Sequence, residues 1–109
     1  DDRKVHQLGL KLKDHADLFS SIEVIGHSDY TGPNGLNIRL SRERAREVVR
    51  ILSQSGLTSE KIMTSWRGES DPLTKSKSKQ ALEKNRRAEF IFHGVKDKQA
   101  LQSLLNLYE

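Results

Sequence analysis

The chain of 109 residues contains no cysteine, so it can form neither disulfide bonds nor thiolate metal sites. This absence fits an oxidising and a reducing compartment equally well. Aromatic residues make up only 6% of the sequence, which leaves few rings for stacking on nucleic-acid bases. No apolar run approaches the ~20 residues that a membrane-spanning helix needs.

The start of the chain also lacks the apolar stretch of a secretion signal, because residues 1–4 are all charged. If the protein works outside the cytoplasm, we expect the sequence to be a fragment that lacks the export signal or anchor. The length suits one domain with a modest core, and the mean hydropathy of −0.71 indicates a well-solvated surface. The net charge of +4 permits an anionic partner but is common among solvated domains.

Helical spacing is clear at the start of the chain and again after residue 41. Residues ~3–18 form one predicted amphipathic helix, and a second is predicted to begin with Ser41 as its N-cap and to end at Gly56. The apolar positions of the two helices recur at steps of three and four: Val5, Leu8, Leu12, Ala16 and Phe19, then Ala45, Val48, Val49 and Leu52.

The remaining segments predict three strands, two loops and two further helices. The strands are expected at 22–25, 62–66 and 88–93, and the loops at 27–37 and 68–79. A short helix is predicted over 80–85, and a last helix follows Asp97, with its apolar residues from Ala100 to Tyr108 on one face. The order predicts an α/β fold, an α+β sandwich with helices packed on a small mixed sheet.

Two segments carry side chains suited to a zwitterionic ligand. Residues 26–32 read Gly-His-Ser-Asp-Tyr-Thr-Gly, which puts Asp29 in a glycine-bounded loop after the first strand. Residues 37–45 read Asn-Ile-Arg-Leu-Ser-Arg-Glu-Arg-Ala, which puts Arg44 in the first turn of the predicted helix. The free N–H groups of a helix start and a guanidinium both favour a carboxylate. We therefore expect a ligand that bears an amine and a carboxylate on one carbon.

These segments, with Asn-Arg-Arg-Ala-Glu-Phe at residues 85–90, resemble the OmpA-like peptidoglycan-binding domain of Gram-negative cell envelopes. The resemblance covers residues ~5–93 and rests on three motifs in the family's order and spacing. It implies a βαβαβ-type fold, with residues 1–109 as one domain and the helix at 97–108 as an addition. The strand that usually precedes the family's first helix is not visible. Either the sequence begins after that strand, or the fold dispenses with it and the last helix covers the exposed sheet edge.

The resemblance further implies a binding module and not an enzyme, with no cofactor and no metal. Its partner would be peptidoglycan, bound non-covalently through the diaminopimelate of the stem peptide, so that a larger envelope protein is anchored to the cell wall. The implied location is the periplasm, in association with the outer membrane or cell wall. Membrane contact would come only through an anchor or barrel elsewhere in the parent protein, which could be porin-like, a lipoprotein or a flagellar stator subunit.

In that family, the residues that match Asp29 and Arg44 hold the free end of diaminopimelate. Asn37 is expected to brace the loop, Ser41 to supply cap geometry, and Leu40 to cover the core as a lid. The full predicted ligand-binding set is Asp29, Thr31, Asn37, Leu40, Ser41, Arg44 and Arg87.

Each of the three charged members of this set also has a simpler interpretation. Asp29 could hold its loop through an Asx-turn, and Arg44 could be a solvated surface arginine. Arg87 could instead pair with a helix acid. His27 is expected to be a hydrogen-bonded structural imidazole, because the other histidines lie in separate elements without ligand spacing.

The chain departs from the family pattern at two places. Ala81 and Leu82 replace a common Gly-Arg pair, which puts any contact made by that arginine in doubt. Trp66 replaces the first glycine of a Gly-x-Gly-Glu segment, while Gly68 and Glu69 are kept.

Two other functions compete with peptidoglycan binding. A nucleic-acid-binding domain is suggested by a basic group of residues, although no nucleic-acid motif is present. A cell-wall hydrolase would need a metal or an activated nucleophile that no motif supplies. The basic group comprises Lys75, Lys77, Lys79, Lys84, Arg86 and Arg87.

Overall fold

The computed structural model describes residues 2–28, 34–68 and 87–108, and three helices and three strands lie within these ranges. The predicted loop at 68–79, from residue 69 onwards, and the predicted helix at 80–85 lie outside the described residues. The elements in chain order are α1 (Asp2–Asp14), a 3₁₀ turn (Ala16–Leu18), β1 (Ser21–His27), α2 (Asn34–Gln54), a 3₁₀ turn (Ser59–Lys61), β2 (Ile62–Gly68), β3 (Ala88–His93) and α3 (Lys98–Tyr108).

The sheet has the order β2-β1-β3, with β1 at its centre. Strand β2 runs parallel to β1, with Ile22 opposite Ile62, and β3 runs antiparallel, with Val24 opposite Phe90. The sheet is therefore mixed, as predicted. A parallel pair needs a crossover connection, and the chain between β1 and β2 contains α2.

The helices cover one face of this sheet through two groups of buried side chains. Val24 of β1 packs with Ala45 and Leu52 of α2. Leu101 and Leu104 of α3 join the other group, whose remaining members come from α1, from the chain around β1 and from the segment after α2. Those members are Leu8, Leu12, Phe19, Ile22 and Leu57. The amphipathic faces predicted for the first, second and last helices are confirmed as core.

Two predicted helix ends are confirmed and one predicted helix start is wrong. Gly56 adopts a φ of 109° just after α2, and the backbone N–H of Ala100 donates to Asp97 Oδ1 over 3.0 Å at the start of α3. Helix α2 begins at Asn34, however, and not at Ser41.

The early start of α2 has a physical cause in its buried stripe. Asn37, Ser41 and Ala45 follow one another at steps of four and are all buried, so the inward face continues through polar residues. Ser41 is not a cap, because its hydroxyl donates back to the carbonyl of Ile38 over 2.8 Å within the helix. Because the inward-facing residues of this segment are polar, apolar periodicity alone does not reveal a helix there and predicts a loop. Within the described ranges, no helix is both long and apolar enough to cross a bilayer.

Candidate functional site

Arg44 lies on the third turn of α2 and is half-buried beside the end of β1. Its Nη1 donates a hydrogen bond to the carbonyl oxygen of His27, the last residue of that strand. The expected place of Arg44 in a first helical turn is therefore wrong. The backbone N–H groups of the helix start do not surround it, so the positive charge at this position comes from the guanidinium alone.

A groove of about 660 Å³ lies beside Arg44, between α1, α2 and the first half of β3. Leu40 and Arg44 line it on α2, and Arg87, the residue just before β3, also lines it. Leu40 is 40% exposed, so it lines a groove and is not the predicted lid on the core. Three of the seven predicted site residues thus share one surface.

The groove carries charges of both signs. Glu43 and Glu47 follow Leu40 at helical spacing on α2, and Asp2 approaches from the start of α1. Arg50 donates to both carboxylate oxygens of Glu47 over 3.0 and 2.5 Å, and this contact lowers the pKa of Glu47. Carboxylates and guanidiniums in one groove suit a ligand with both an ammonium and a carboxylate.

Arg87 forms an ion pair with Glu89, an acid of the strand β3 that follows it. Its Nε and Nη2 lie 2.7 and 2.5 Å from Glu89 Oε1. Glu89 belongs to β3, so it is not the helix acid of the alternative interpretation. His27 Nε2 is 2.9 Å from the same oxygen, and the His27 ring is 2% exposed. The burial and this pairing agree with the structural role expected for His27. No group of three or more potential metal ligands occurs among the residues of the described ranges.

Two of the other predicted site residues, Asn37 and Ser41, do not line the groove. Asn37 and Ser41 are 1% and 0% exposed, so both side chains are buried. Asp29 and Thr31 lie outside the described residues. Sequence reasoning missed Asp2, Glu43 and Glu47. The last two could have been found from their spacing to Leu40 once the helix start was known.

A second polar cluster lies on the sheet face opposite α2, where β1 meets both neighbours. Ser65 Oγ donates to Glu23 Oε2 and His93 Nε2 bonds Glu23 Oε1, each over 2.8 Å. The hydrogen bond from His93, followed by that from Ser65, lowers the pKa of the Glu23 carboxyl. The carboxylate stands between the hydroxyl and the imidazole, so this is not the arrangement of a nucleophile activated by histidine.

Known proteins share both this sequence pattern and this architecture. The sequence model of the OmpA family matches residues 1–86. The probable lipoprotein YiaD of Escherichia coli is 34% identical over 70 residues, which are 64% of this chain and 32% of that protein. The peptidoglycan-binding protein ArfA of Mycobacterium tuberculosis is 33% identical over 70 residues, 64% of this chain and 22% of that protein. The chain therefore spans a third or less of each relative.

Solved structures show the same fold. The peptidoglycan-associated lipoprotein of Burkholderia pseudomallei superposes with a TM-score of 0.75 at 26% identity, covering 82% of this chain and 74% of that one. The C-terminal domain of Helicobacter pylori MotB gives a TM-score of 0.78 at 22% identity and covers 97% of this chain and 80% of that one, a likeness of fold alone. The family match covers most of the chain, and the sheet order and helix positions agree with it. The chain belongs to the OmpA family.

Proposed function

We propose that this domain binds peptidoglycan non-covalently through the diaminopimelate of the stem peptide and so anchors a larger envelope protein to the cell wall. Membership of the OmpA family supports the proposal, as do the names of two relatives, a peptidoglycan-binding protein and a peptidoglycan-associated lipoprotein. The main observation behind the proposal is the position of Arg44. Its guanidinium is hydrogen-bonded to the end of β1 and lines a groove of mixed charge.

The free end of diaminopimelate carries an ammonium and a carboxylate on one carbon. In the proposed complex, the guanidinium of Arg44 donates two parallel hydrogen bonds to the carboxylate, an arrangement that a lysine cannot reproduce. Asp29 accepts from the ammonium. The carbonyl that Arg44 holds belongs to His27, two residues before Asp29 in the chain, and this short separation supports a shared site for both side chains.

The remaining groove residues take supporting roles in this proposal. Leu40 packs on the aliphatic arm of diaminopimelate, and Arg87 offers a second guanidinium to a carboxylate of the stem peptide. The pairing of Arg87 with Glu89 orders its side chain before ligand arrives. The proposed location is the periplasm, with membrane contact made only by other parts of the parent protein, and the proposed activity is binding without catalysis.

The selectivity of binding tests this function. Purified peptidoglycan with diaminopimelate at the third position of its stem peptide should sediment with the domain. Peptidoglycan with lysine there keeps the amine but lacks the carboxylate, so Arg44 would face no anion and co-sedimentation should fall sharply. Equal binding to the two polymers, at matched ionic strength and degree of cross-linking, would show that the groove does not recognise the diaminopimelate carboxylate.

A further inference from the structure

Trp66 is exposed although it is the one tryptophan of the sequence. It lies near the end of the edge strand β2, opposite Gly26, and 39% of its surface is accessible. The resemblance to the family puts a glycine at this position, so the ring departs from the family's pattern. Tryptophan is enriched at binding interfaces, where its ring supplies a large apolar contact.

Arg42 and Trp66 contact each other across the gap between α2 and β2. The Arg42 Cζ lies 5.7 Å from the ring centroid, a distance typical of a cation–π contact. Arg42 Nε is buried and donates to no polar atom of the residues that the structure describes. The guanidinium is therefore held over the ring while part of its hydrogen-bonding capacity stays unused.

Two more arginines extend the positive charge of this flank. Arg39 and Arg46 stand three residues before and four residues after Arg42, so the three share one stripe of α2. Within the described ranges, none of the three forms an ion pair with a carboxylate. We name Arg39, Arg42, Arg46 and Trp66 the Arg–Trp surface.

The Arg–Trp surface is separate from the groove at Arg44. Arg42 and Arg44 are two residues apart, and such residues do not share a helix face. Arg44 lines the groove together with Arg87, which lies next to the edge strand β3. Arg42 contacts Trp66 on β2, the strand at the opposite edge of the sheet. The two surfaces therefore flank α2, and one extended ligand can contact both.

We propose that the Arg–Trp surface is a second subsite, for a sugar of a glycan that carries acidic peptides. The proposal rests on the proposed function, in which the glycan is the sugar backbone of peptidoglycan. The apolar face of a sugar ring stacks on Trp66, and carboxylates of the stem peptide on the next disaccharide unit pair with Arg39, Arg42 and Arg46. A surface that combines an aromatic ring with three arginines fits such a ligand better than a neutral one.

The single tryptophan makes the subsite directly observable. The probe is a soluble N-acetylglucosamine–N-acetylmuramic acid disaccharide that carries a diaminopimelate tetrapeptide. Titration should change the tryptophan fluorescence to saturation, and the free tetrapeptide should leave it unchanged. In the Arg44→Ala variant the fluorescence change should persist at higher probe concentration, because the sugar subsite does not depend on the groove.

Calorimetry on Trp66→Ala completes the test. The disaccharide should raise the affinity of the wild type over that of the free tetrapeptide by about three- to ten-fold, as one ring-stacking contact allows. Trp66→Ala should abolish this gain while its affinity for the free tetrapeptide stays that of the wild type. Arg42→Gln should reduce the gain in part, because the guanidinium no longer contacts the Trp66 ring.

The outcomes separate this proposal from the function on which it rests. If the probe binds by calorimetry without a fluorescence change, or if Trp66→Ala keeps the full gain, the sugar subsite is wrong and peptidoglycan binding stands. If neither the tetrapeptide nor the probe binds, both proposals fail. A neutral N-acetylglucosamine oligosaccharide that matches the probe in affinity would overturn the acidic character assigned to the ligand.

Discussion

Gly26 of β1 and Ser41 of α2 are in direct backbone contact. A Cβ on Gly26 would lie 1.9 Å from the carbonyl oxygen of Ser41 and 3.1 Å from the backbone nitrogen of Ala45. Only a residue without a side chain permits this approach. The contact seats α2 on the sheet three residues before Arg44, and so it sets the distance between that guanidinium and the carbonyl of His27.

We expect Gly26→Ala to destabilise the domain by at least ~2 kcal/mol, because the added methyl group meets the helix backbone, which cannot rotate away as a side chain can. Chemical denaturation measures this cost. The matched control is Gly35→Ala in the first turn of α2, where a Cβ would meet nothing within 4 Å. That variant should gain up to ~1 kcal/mol from helix propensity. Equal stability of the two variants would contradict the close contact at Gly26.

Arg44→Ala should abolish co-sedimentation with diaminopimelate-type peptidoglycan and cost ~1 kcal/mol of stability through loss of the bond to His27. Loss of a charge-assisted bidentate contact costs ~2–3 kcal/mol, which is about thirty- to over a hundred-fold in affinity. Arg67→Ala removes the same charge from an exposed position on β2, outside the groove, and should bind as the wild type does. Unchanged binding by a folded Arg44→Ala variant would remove Arg44 from the site.

Asp29→Asn should bind peptidoglycan much more weakly at nearly unchanged thermal stability. The amide keeps the size and the acceptor oxygen that an Asx-turn needs but loses the charge that attracts an ammonium. Exposed polar exchanges usually change stability by less than ~0.5 kcal/mol. Melting temperature and affinity, measured on this one variant, separate the two roles. Full affinity would leave Asp29 as a loop-forming residue only.

The Glu23 cluster predicts a pH dependence of stability. The pKa of Glu23 lies below the ordinary glutamate value, chiefly through His93 and then through Ser65. A group with a lowered pKa in the folded state stabilises it at neutral pH, and this contribution disappears as the pH falls through the folded-state pKa. Glu23→Gln should therefore be less stable than the wild type at pH 7 by ~1 kcal/mol.

The difference between wild type and Glu23→Gln should shrink as the pH falls below about 4.3, the value of an unfolded glutamate. Urea denaturation at a series of pH values measures it. Glu47→Gln is the control, because Glu47 and its partner Arg50 are both about half exposed and solvent screens the pair. A constant difference for Glu23→Gln across the pH range would show that lost packing, not the charge, causes the destabilisation.

The sequence by itself determined the order of the described elements and the family. Its apolar periodicity identified the core faces of all three helices, and its β-branched runs identified the three strands, because these signals depend only on neighbours in the chain. Gly56 and Asp97 marked helix ends for the same local reason. The motifs around residues 26–45 and 85–90 indicated the family as well.

Tertiary structure alone decided where α2 begins and what surrounds Arg44. Asn37 and Ser41 are buried because the helix lies so close to β1 at Gly26, and nothing in a local pattern distinguishes buried polar residues from those of a loop. The groove likewise joins residues from both ends of the chain, from Asp2 to Phe90. Sequence reasoning could name Arg44 and Arg87 separately, but a pairing of strands across the sheet was needed to bring them to one surface.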